Sequence, residues 1–296
     1  MHSATVDTTA NGTTPVGFIG VGDMGGPIVG HIAANGFPTT VWARRPAQLD
    51  QFRETTLTSA ASPAELAAGS EVIGLCVFGD ADVREVITGP DGILEGARSG
   101  SVVVVHSTIA PDTCRELAAA CAAAGLALVD APVTGARASA LAATLTVMIG
   151  GEVEHVERVR PVLSCYAQRI VHVGGLGAGQ TMKTLNNVLG AATGRLACIA
   201  IEIAERLRLD PVQAMEVLRV GSAGSAALNS IASRLLSDAE FAEHARQLIA
   251  KDAALFGQVR AAAGAPESIL ERLALERAEQ IIPTFERAFV PAPLDS

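Results

Sequence analysis

Lys183 and Asn187 stand four residues apart in the run Gly177-Ala-Gly179-Gln-Thr-Met-Lys183-Thr-Leu-Asn186-Asn187. On a helix that spacing puts an amine and an amide on one face, about one turn from each other. An amine whose surroundings lower its pKa takes a proton from a hydroxyl and returns one to a nascent alkoxide, while a neighbouring amide orients the oxygen. Composition sharpens the reading. Of 22 basic residues only Lys183 and Lys251 are lysines; the rest are arginines, whose guanidinium stays protonated and accepts no proton. The plainer alternative for Lys183 is a surface lysine on an amphipathic helix.

Such a proton relay is useful beside a hydride carrier, and the N-terminal part of the chain has a loop that binds one. Val16-Gly-Phe-Ile-Gly20-Val-Gly22-Asp-Met-Gly25 places Gly-x-Gly-x-x-Gly between an apolar run and a helix start. Gly20 permits the tight turn, Gly22 lets a pyrophosphate approach the backbone, and Gly25 allows close helix–strand packing. The helix N-terminus turns unpaired N–H groups and a positive dipole end toward the phosphates. A NAD site has a carboxylate about 20 residues further on for the ribose 2′-hydroxyl. Here that place reads Val41-Trp42-Ala43-Arg44-Arg45-Pro46, and the first acidic residue is Asp50, beyond the proline. Arg44 and Arg45 suit a 2′-phosphate through charge-assisted hydrogen bonds. NADP(H) is therefore expected over NAD(H); the alternative is a solvated arginine pair.

Other routes to the same chemistry fail on residue types. The only tyrosine, Tyr166, has Ile170 four places on, which excludes a Tyr-x-x-x-Lys dyad. Six histidines form no HxxxH pair and five scattered cysteines form no CxxC, so no metal site is expected. The cysteines read as small buried residues of a reducing compartment. A net charge of −9 argues against nucleic acid and anionic lipid surfaces, and 3% aromatics against base-stacking platforms. The polar N-terminus lacks an apolar core of a signal peptide, and the apolar stretch Leu189–Ala204 contains Arg195 and Glu202, against a membrane span. A cytoplasmic location is the expectation.

The elements that must hold these residues are legible as alternation. Val16–Ile19, Thr39–Trp42, Glu71–Val77, Ser101–Val105, Leu126–Asp130, Thr144–Ile149 and Arg169–Val173 read as strands. Gly26–Ala34, Ala47–Phe52, Ala81–Ile87, Pro111–Ala124 and Val153–Leu163 read as helices between them. Strands apolar on both faces, alternating with helices, predict an α/β fold with a doubly wound, mostly parallel sheet. After Gly179 the strand pattern stops: Gln180 to Arg208 reads as one long helix with small residues at Gly190, Ala191, Ala192 and Gly194. Asp210-Pro211 is a helix N-cap with proline at the first helical position, and helices run to about Ile281. The expected organisation is a flexible tail over residues 1–14, a Rossmann-type domain over 15–178, an interdomain helix over 179–208 and an all-α domain over 209–296.

With these motifs in order, the chain resembles the β-hydroxyacid dehydrogenase family, which includes 3-hydroxyisobutyrate dehydrogenase and tartronate semialdehyde reductase. Phe18-Ile-Gly-Val-Gly-Asp-Met-Gly-Gly-Pro-Ile is similar to the family's cofactor signature, Asp130-Ala-Pro-Val-Thr134-Gly135-Ala136 to its substrate-binding signature, Gly177–Asn187 to its catalytic signature, and Lys251-Asp252 to its C-terminal Lys-Asp motif. The resemblance implies Lys183 as catalytic residue, Asn187 as its substrate-orienting neighbour, and Thr134, Gly135 and Ala136 around a substrate carboxylate. It also implies Ser107 and Thr108 at the nicotinamide end, Ser107 on the substrate side and Thr108 on the cofactor side. Asp23, Met24, Val77 and Phe78 would lie along the cofactor, and Lys251 would close the site from the helical domain; the alternative for Lys251 is an ion pair with a carboxylate such as Asp252. A homodimer or homotetramer acting on a small anionic hydroxy acid or semialdehyde is implied as well.

The chain also departs from the family pattern. Thr134 stands where serine is usual and Ala136 where glycine is common, with Arg137 next. Asn186 replaces the histidine of 6-phosphogluconate dehydrogenases, which argues against a sugar-phosphate acid. Residues from Pro266 onward depart from the usual family ending. An NADPH-dependent imine reductase shares the architecture but usually places another residue at the Lys183 position, and a non-catalytic NADP sensor would need no lysine–asparagine pair.

Overall fold

Val102, Val103, Val104 and Val105 show how this sequence makes a sheet. Val102 and Val104 enter one buried cluster, with Phe18, Ile28 and Val159. Val103 and Val105 enter a second, with Ile19, Leu66 and Leu117. Strict alternation into two cores is what a strand covered by helices on both faces produces.

The computed structural model describes residues 13–53, 55–229 and 239–279. The chain divides into two compact units, residues 1–183 and 184–296, and the division falls inside one long helix. The first unit runs β1 (Val16–Ile19), α1 (Gly25–Ala34), β2 (Thr39–Trp42), β3 (Thr58–Ser59), α2 (Pro63–Ala68), β4 (Val72–Leu75), α3 (Asp80–Thr88), α4 (Ile93–Gly96), β5 (Val102–Val105), α5 (Pro111–Ala123), β6 (Ala127–Asp130), β7 (Val133–Thr134), α6 (Ala136–Leu141), β8 (Leu145–Gly150), α7 (Val153–Leu163) and β9 (Ala167–Gly174). α8 (Ala178–Arg206) follows and carries the chain into the second unit.

The sheet order is β3-β2-β1-β4-β5-β6-β8-β7, with β9 on the other edge of β8. From β3 to β6 every pairing is parallel, while β8 lies antiparallel to β6 and β7. The strand order reverses between β1 and β4, and in such sheets ligands bind beyond the carboxyl ends of the strands at that point. The mostly parallel, doubly wound α/β sheet expected from the alternation is present. One expected helix is different: Pro46–Phe52 is a 3-10 helix, because Pro46 holds Arg45 extended and the short run buries no residue. Short elements escaped the pattern, α2 among them, although Ser62 caps it by accepting the Glu65 N–H at 3.1 Å.

The second unit is helical. Pro211–Val220 starts at Asp210, whose carboxylate accepts the Gln213 N–H at 2.9 Å, as its Asp-Pro start predicts. Helices Ala239–Ala262 and Ile269–Glu279 complete the described part. Val188 on α8 meets Ala253 and Ala274 from these helices in one buried cluster. By length and composition alone α8 could cross a membrane, but it carries the buried Arg195, which pairs with Glu202 at 3.3 Å and Glu276 at 3.5 Å. The N-terminal tail to residue 12 and the last turn before Ile281 lie outside the described residues.

Inside the first unit sits a buried polar chain. His106 stacks on Phe18 with ring centroids 5.9 Å apart. Its Nδ1–H donates to the Ala131 carbonyl at 2.7 Å, which leaves Nε2 to accept the Tyr166 hydroxyl at 3.0 Å. Burial pushes the imidazole down from 6.5 to about 4. The unfolded chain therefore takes up this proton before the folded one does. The stabilising difference is complete above the unfolded value of 6.5 and is lost as pH falls toward 4, by roughly 3 kcal/mol. Denaturant unfolding between those pH values should show this loss in the parent protein and a flatter dependence in His106→Phe, which is less stable at neutral pH because Tyr166 and Ala131 lose their partner.

Candidate active site

Gly20 adopts φ +91°, and a Cβ there would stand 2.3 Å from the Cys76 carbonyl oxygen, so β1 turns into α1 against the β4 end. Gly25 leaves even less room, 1.8 Å from the Gly20 carbonyl oxygen. Gly22 is the opposite: a Cβ there meets nothing nearer than Gln48 Nε2 at 4.0 Å, so the space above the loop is open. Met24 at the α1 N-cap offers no capping side chain, and the first turn holds no acidic residue. Open space over Gly22 and uncapped helix N–H groups fit the pyrophosphate of a dinucleotide. Asp23 is exposed and accepts from Arg137 at 3.2 Å, which ties the start of α6 to the glycine loop.

At the end of β2, Arg44 is an exposed arginine already held by two carboxylates of α3, Asp82 at 2.8 Å and Glu85 at 2.7 Å. Arg45 beside it is exposed. Asp50, the first acid past the strand, is turned to Arg53 at 2.9 Å. Phe78, after β4, is 62% exposed, a large apolar side chain in water beside the crevice. The Val77 N–H donates to the Ser107 hydroxyl at 2.9 Å. Ser107 is thus buried and engaged within the protein, while its neighbour Thr108 is half-buried.

Asp130 ends β6 and is fully buried. Its Oδ1 accepts the Gly177 N–H and its Oδ2 the Gln180 N–H, each at 2.7 Å, so the carboxylate caps α8 from 47 residues away. Gly150 and Gly179 make room for it, since a Cβ on either would lie 2.5 Å from Oδ1 or 2.8 Å from Oδ2. Burial raises its pKa, and the backbone N–H groups pull the other way. Lys183, two residues into the next turn, is half-buried and its Nζ donates to the Val133 carbonyl at 2.7 Å. Segment 130–133 therefore holds both the start of α8 and the amine. Cys76 feels the Lys183 charge as well, but burial dominates and pushes its thiol up to about 12, which keeps it protonated.

The turn from β7 into α6 supplies Thr134, half-buried at the strand end, and Gly135 and Ala136, exposed at the helix start. Gly135 has φ +128° and Ala136 φ +57°. Alanine in the left-handed region costs about 1 kcal/mol relative to glycine, which gives the departure at position 136 a physical cost.

In the helical unit, the Asn187 amide donates to Asp252 Oδ2 at 2.6 Å and accepts from Asn186 at 3.1 Å. Asp252 Oδ1 is buried without a hydrogen-bond partner among the described residues. Lys251, next to it, is half-buried. Asp252 was visible in sequence only as half of a dipeptide beside a lysine; its hold on Asn187 spans 65 residues. The anchors Asp130 and Gln180 were likewise motif letters with no role attached to their side chains.

Residues 15–174 match the family model for the NAD binding domain of 6-phosphogluconate dehydrogenase, and residues 177–283 that for NAD-binding of NADP-dependent 3-hydroxyisobutyrate dehydrogenase. The second match runs past Pro266, so any departure from the family ending is shorter than the sequence suggested. The 3-hydroxyisobutyrate dehydrogenase of Pseudomonas aeruginosa is 35% identical over 216 residues, 73% of this chain and 72% of that protein. The crystal structure of 3-hydroxyisobutyrate dehydrogenase from Salmonella typhimurium is 26% identical, with a TM-score of 0.78 over 90% of this chain and 93% of that one. An imine reductase from Myxococcus stipitatus, in complex with NADP+, shares the fold alone at 17% identity, with a TM-score of 0.61 over 93% of this chain and all of that one. This chain belongs to the β-hydroxyacid dehydrogenase family and is an NAD(P)-binding oxidoreductase like 3-hydroxyisobutyrate dehydrogenase.

Proposed function

We propose that this protein interconverts a small β-hydroxy acid and its semialdehyde with NADP(H), and that Lys183 is the general acid/base. The observation that carries the reading is the Lys183 amine itself, half-buried and held at 2.7 Å by the Val133 carbonyl on a helix start that Asp130 locks. When bound, the nicotinamide supplies or accepts the hydride. Lys183 takes the hydroxyl proton as the carbinol is oxidised and returns one to the alkoxide oxygen in reduction. Asn187, whose carbonyl end accepts from Asn186 while its amide donates to Asp252, keeps a second N–H for the substrate oxygen. The hydroxyl of Thr134 and the N–H groups of Gly135 and Ala136 receive the substrate carboxylate, and the extra methyl of threonine narrows that pocket.

Lys183→Met, close in volume and without the amine, is expected to lower kcat about 100- to 10,000-fold while leaving cofactor affinity intact. Nicotinamide absorbance over a panel of hydroxy acids, semialdehydes and cyclic imines checks it. A variant that keeps its turnover, or an imine that outruns every semialdehyde, removes the reading.

Arg44 and Arg45 are the residues for the 2′-phosphate of NADP(H), and Lys251 is a further cation for the cofactor. Asp82 and Glu85 hold the Arg44 guanidinium in place at the strand end, at the cost of competing for its charge. Replacing both arginines by alanine should raise the KM for NADPH about 10- to 100-fold and change that for NADH little. Equal effects on both cofactors would assign the pair to the protein surface.

The protein is further proposed to be a homodimer through α8. Leu189, Leu196 and Ile203 recur every seven residues along this helix and are 51%, 53% and 50% exposed, a single apolar stripe. The double variant Leu196→Glu, Ile203→Glu should sediment as a monomer; an unchanged sedimentation coefficient would place the stripe elsewhere in the assembly.

A further inference from the structure

Gln180 lies in the first turn of α8, fully buried, three residues before Lys183. Its side-chain Oε1 accepts the Ile109 N–H at 3.1 Å and its Nε2 donates to the Ser107 carbonyl at 2.8 Å. The two bonded residues flank Thr108. The Ser107 hydroxyl continues the chain by accepting the Val77 N–H at 2.9 Å. One side-chain amide thus joins the helix that bears the lysine to the loop that leaves β5, across 71 and 73 residues of sequence, and the Ser107 hydroxyl extends the link to the loop after β4.

We propose that Gln180 is a positioning residue that sets the distance between the Lys183 amine and the Ser107–Ile109 loop at the carboxyl end of β5. The inference rests on the acid/base reading of Lys183. Its geometry stands apart from that reading, because every contact lies within the sheet unit. The backbone offers a carbonyl and an N–H two residues apart, and only a group with one donor and one acceptor matches both. Asp130 fixes where the helix begins and the Val133 carbonyl holds the amine in the next turn. Gln180, on the flank of the first turn, ties that same stretch of helix to the Ser107–Ile109 loop. A reacting proton donor displaced by about 1 Å costs about 100-fold in rate, so a clamp three residues from the amine matters to the chemistry.

Gln180→Glu tests the idea, because a protonated carboxyl still offers one donor and one acceptor whereas a carboxylate offers two acceptors to the Ser107 carbonyl. Burial and the Asp130 carboxylate, which takes the residue's own N–H, raise the pKa of the introduced group; Lys183 one turn on opposes them. The expected result is a kcat lowered about tenfold or more at high pH that recovers on acidification, an ionisation absent from the parent profile, with the KM for cofactor little changed. Gln180→Met should be slow at every pH while still melting cooperatively. In the cofactor-free protein, hydrogen exchange at the Ile109 amide should accelerate in Gln180→Met, which offers that N–H no oxygen, and stay near the parent rate in Gln180→Glu, whose carboxyl still accepts it. A parent-like pH profile in Gln180→Glu, or a fall in kcat that only tracks loss of folded protein, overturns the proposal. Lys183→Met measured alongside separates the two readings: turnover retained there overturns the lysine role and the catalytic purpose of the clamp, whereas unchanged Ile109 exchange in Gln180→Met overturns the clamp alone.

Discussion

The Asp130 carboxylate sits at the carboxyl end of β6 with none of its surface in water, and its partners are the backbone N–H groups that open α8. Desolvation of such a group costs several kcal/mol, and each N–H bond to it returns about 1.5–3 kcal/mol. Burial raises its pKa against the pull of those bonds. What the arrangement fixes is position. Here the position is that of α8, the one element common to both units, and of the amine in its second turn.

The glycines around this carboxylate belong to the same constraint. Gly150, Gly177 and Gly179 sit where a side chain would strike Asp130 or where φ turns positive, at +87° for Gly177. The strand β8 and the loop before α8 can approach the carboxylate only because those residues have no Cβ. The same logic governs the nucleotide loop, in which Gly20 and Gly25 allow backbone contact and Gly22 leaves space. Two glycine-rich segments in one unit thus do opposite things: one closes around a buried charge, the other opens toward an anion.

How much of this was legible in sequence follows from the range of each interaction. β1, β2 and α7 were readable to the residue, because a short apolar run at strand spacing and an amphipathic helical run are both local patterns. The nucleotide loop was readable because turn, phosphate approach and helix start all fall within a few residues. What the sequence hid is long-range pairing. Asp130, Gln180 and Asp252 find their partners 47 to 73 residues away, and nothing in their immediate neighbourhood says that the side chain faces inward. Ser107 belongs to the same group: its hydroxyl accepts the Val77 N–H across 30 residues of sequence.

Cofactor choice turns on a subtler competition. A strand end without a carboxylate and with two arginines reads as a 2′-phosphate site, but α3 presents Asp82 and Glu85 to one of those arginines. All three side chains are at least partly in water, where an ion pair contributes about 0–1 kcal/mol. If the proposed 2′-phosphate binds there, its charge and several acceptor oxygens outbid two screened carboxylates for the same guanidinium. The carboxylates then act mainly before the cofactor arrives, by keeping a long and otherwise mobile side chain at the strand end. In that case neutralising Asp82 and Glu85 has two opposing effects on NADPH: less repulsion of the phosphate and more side-chain entropy to lose, with the first larger at low salt and the difference shrinking as salt rises.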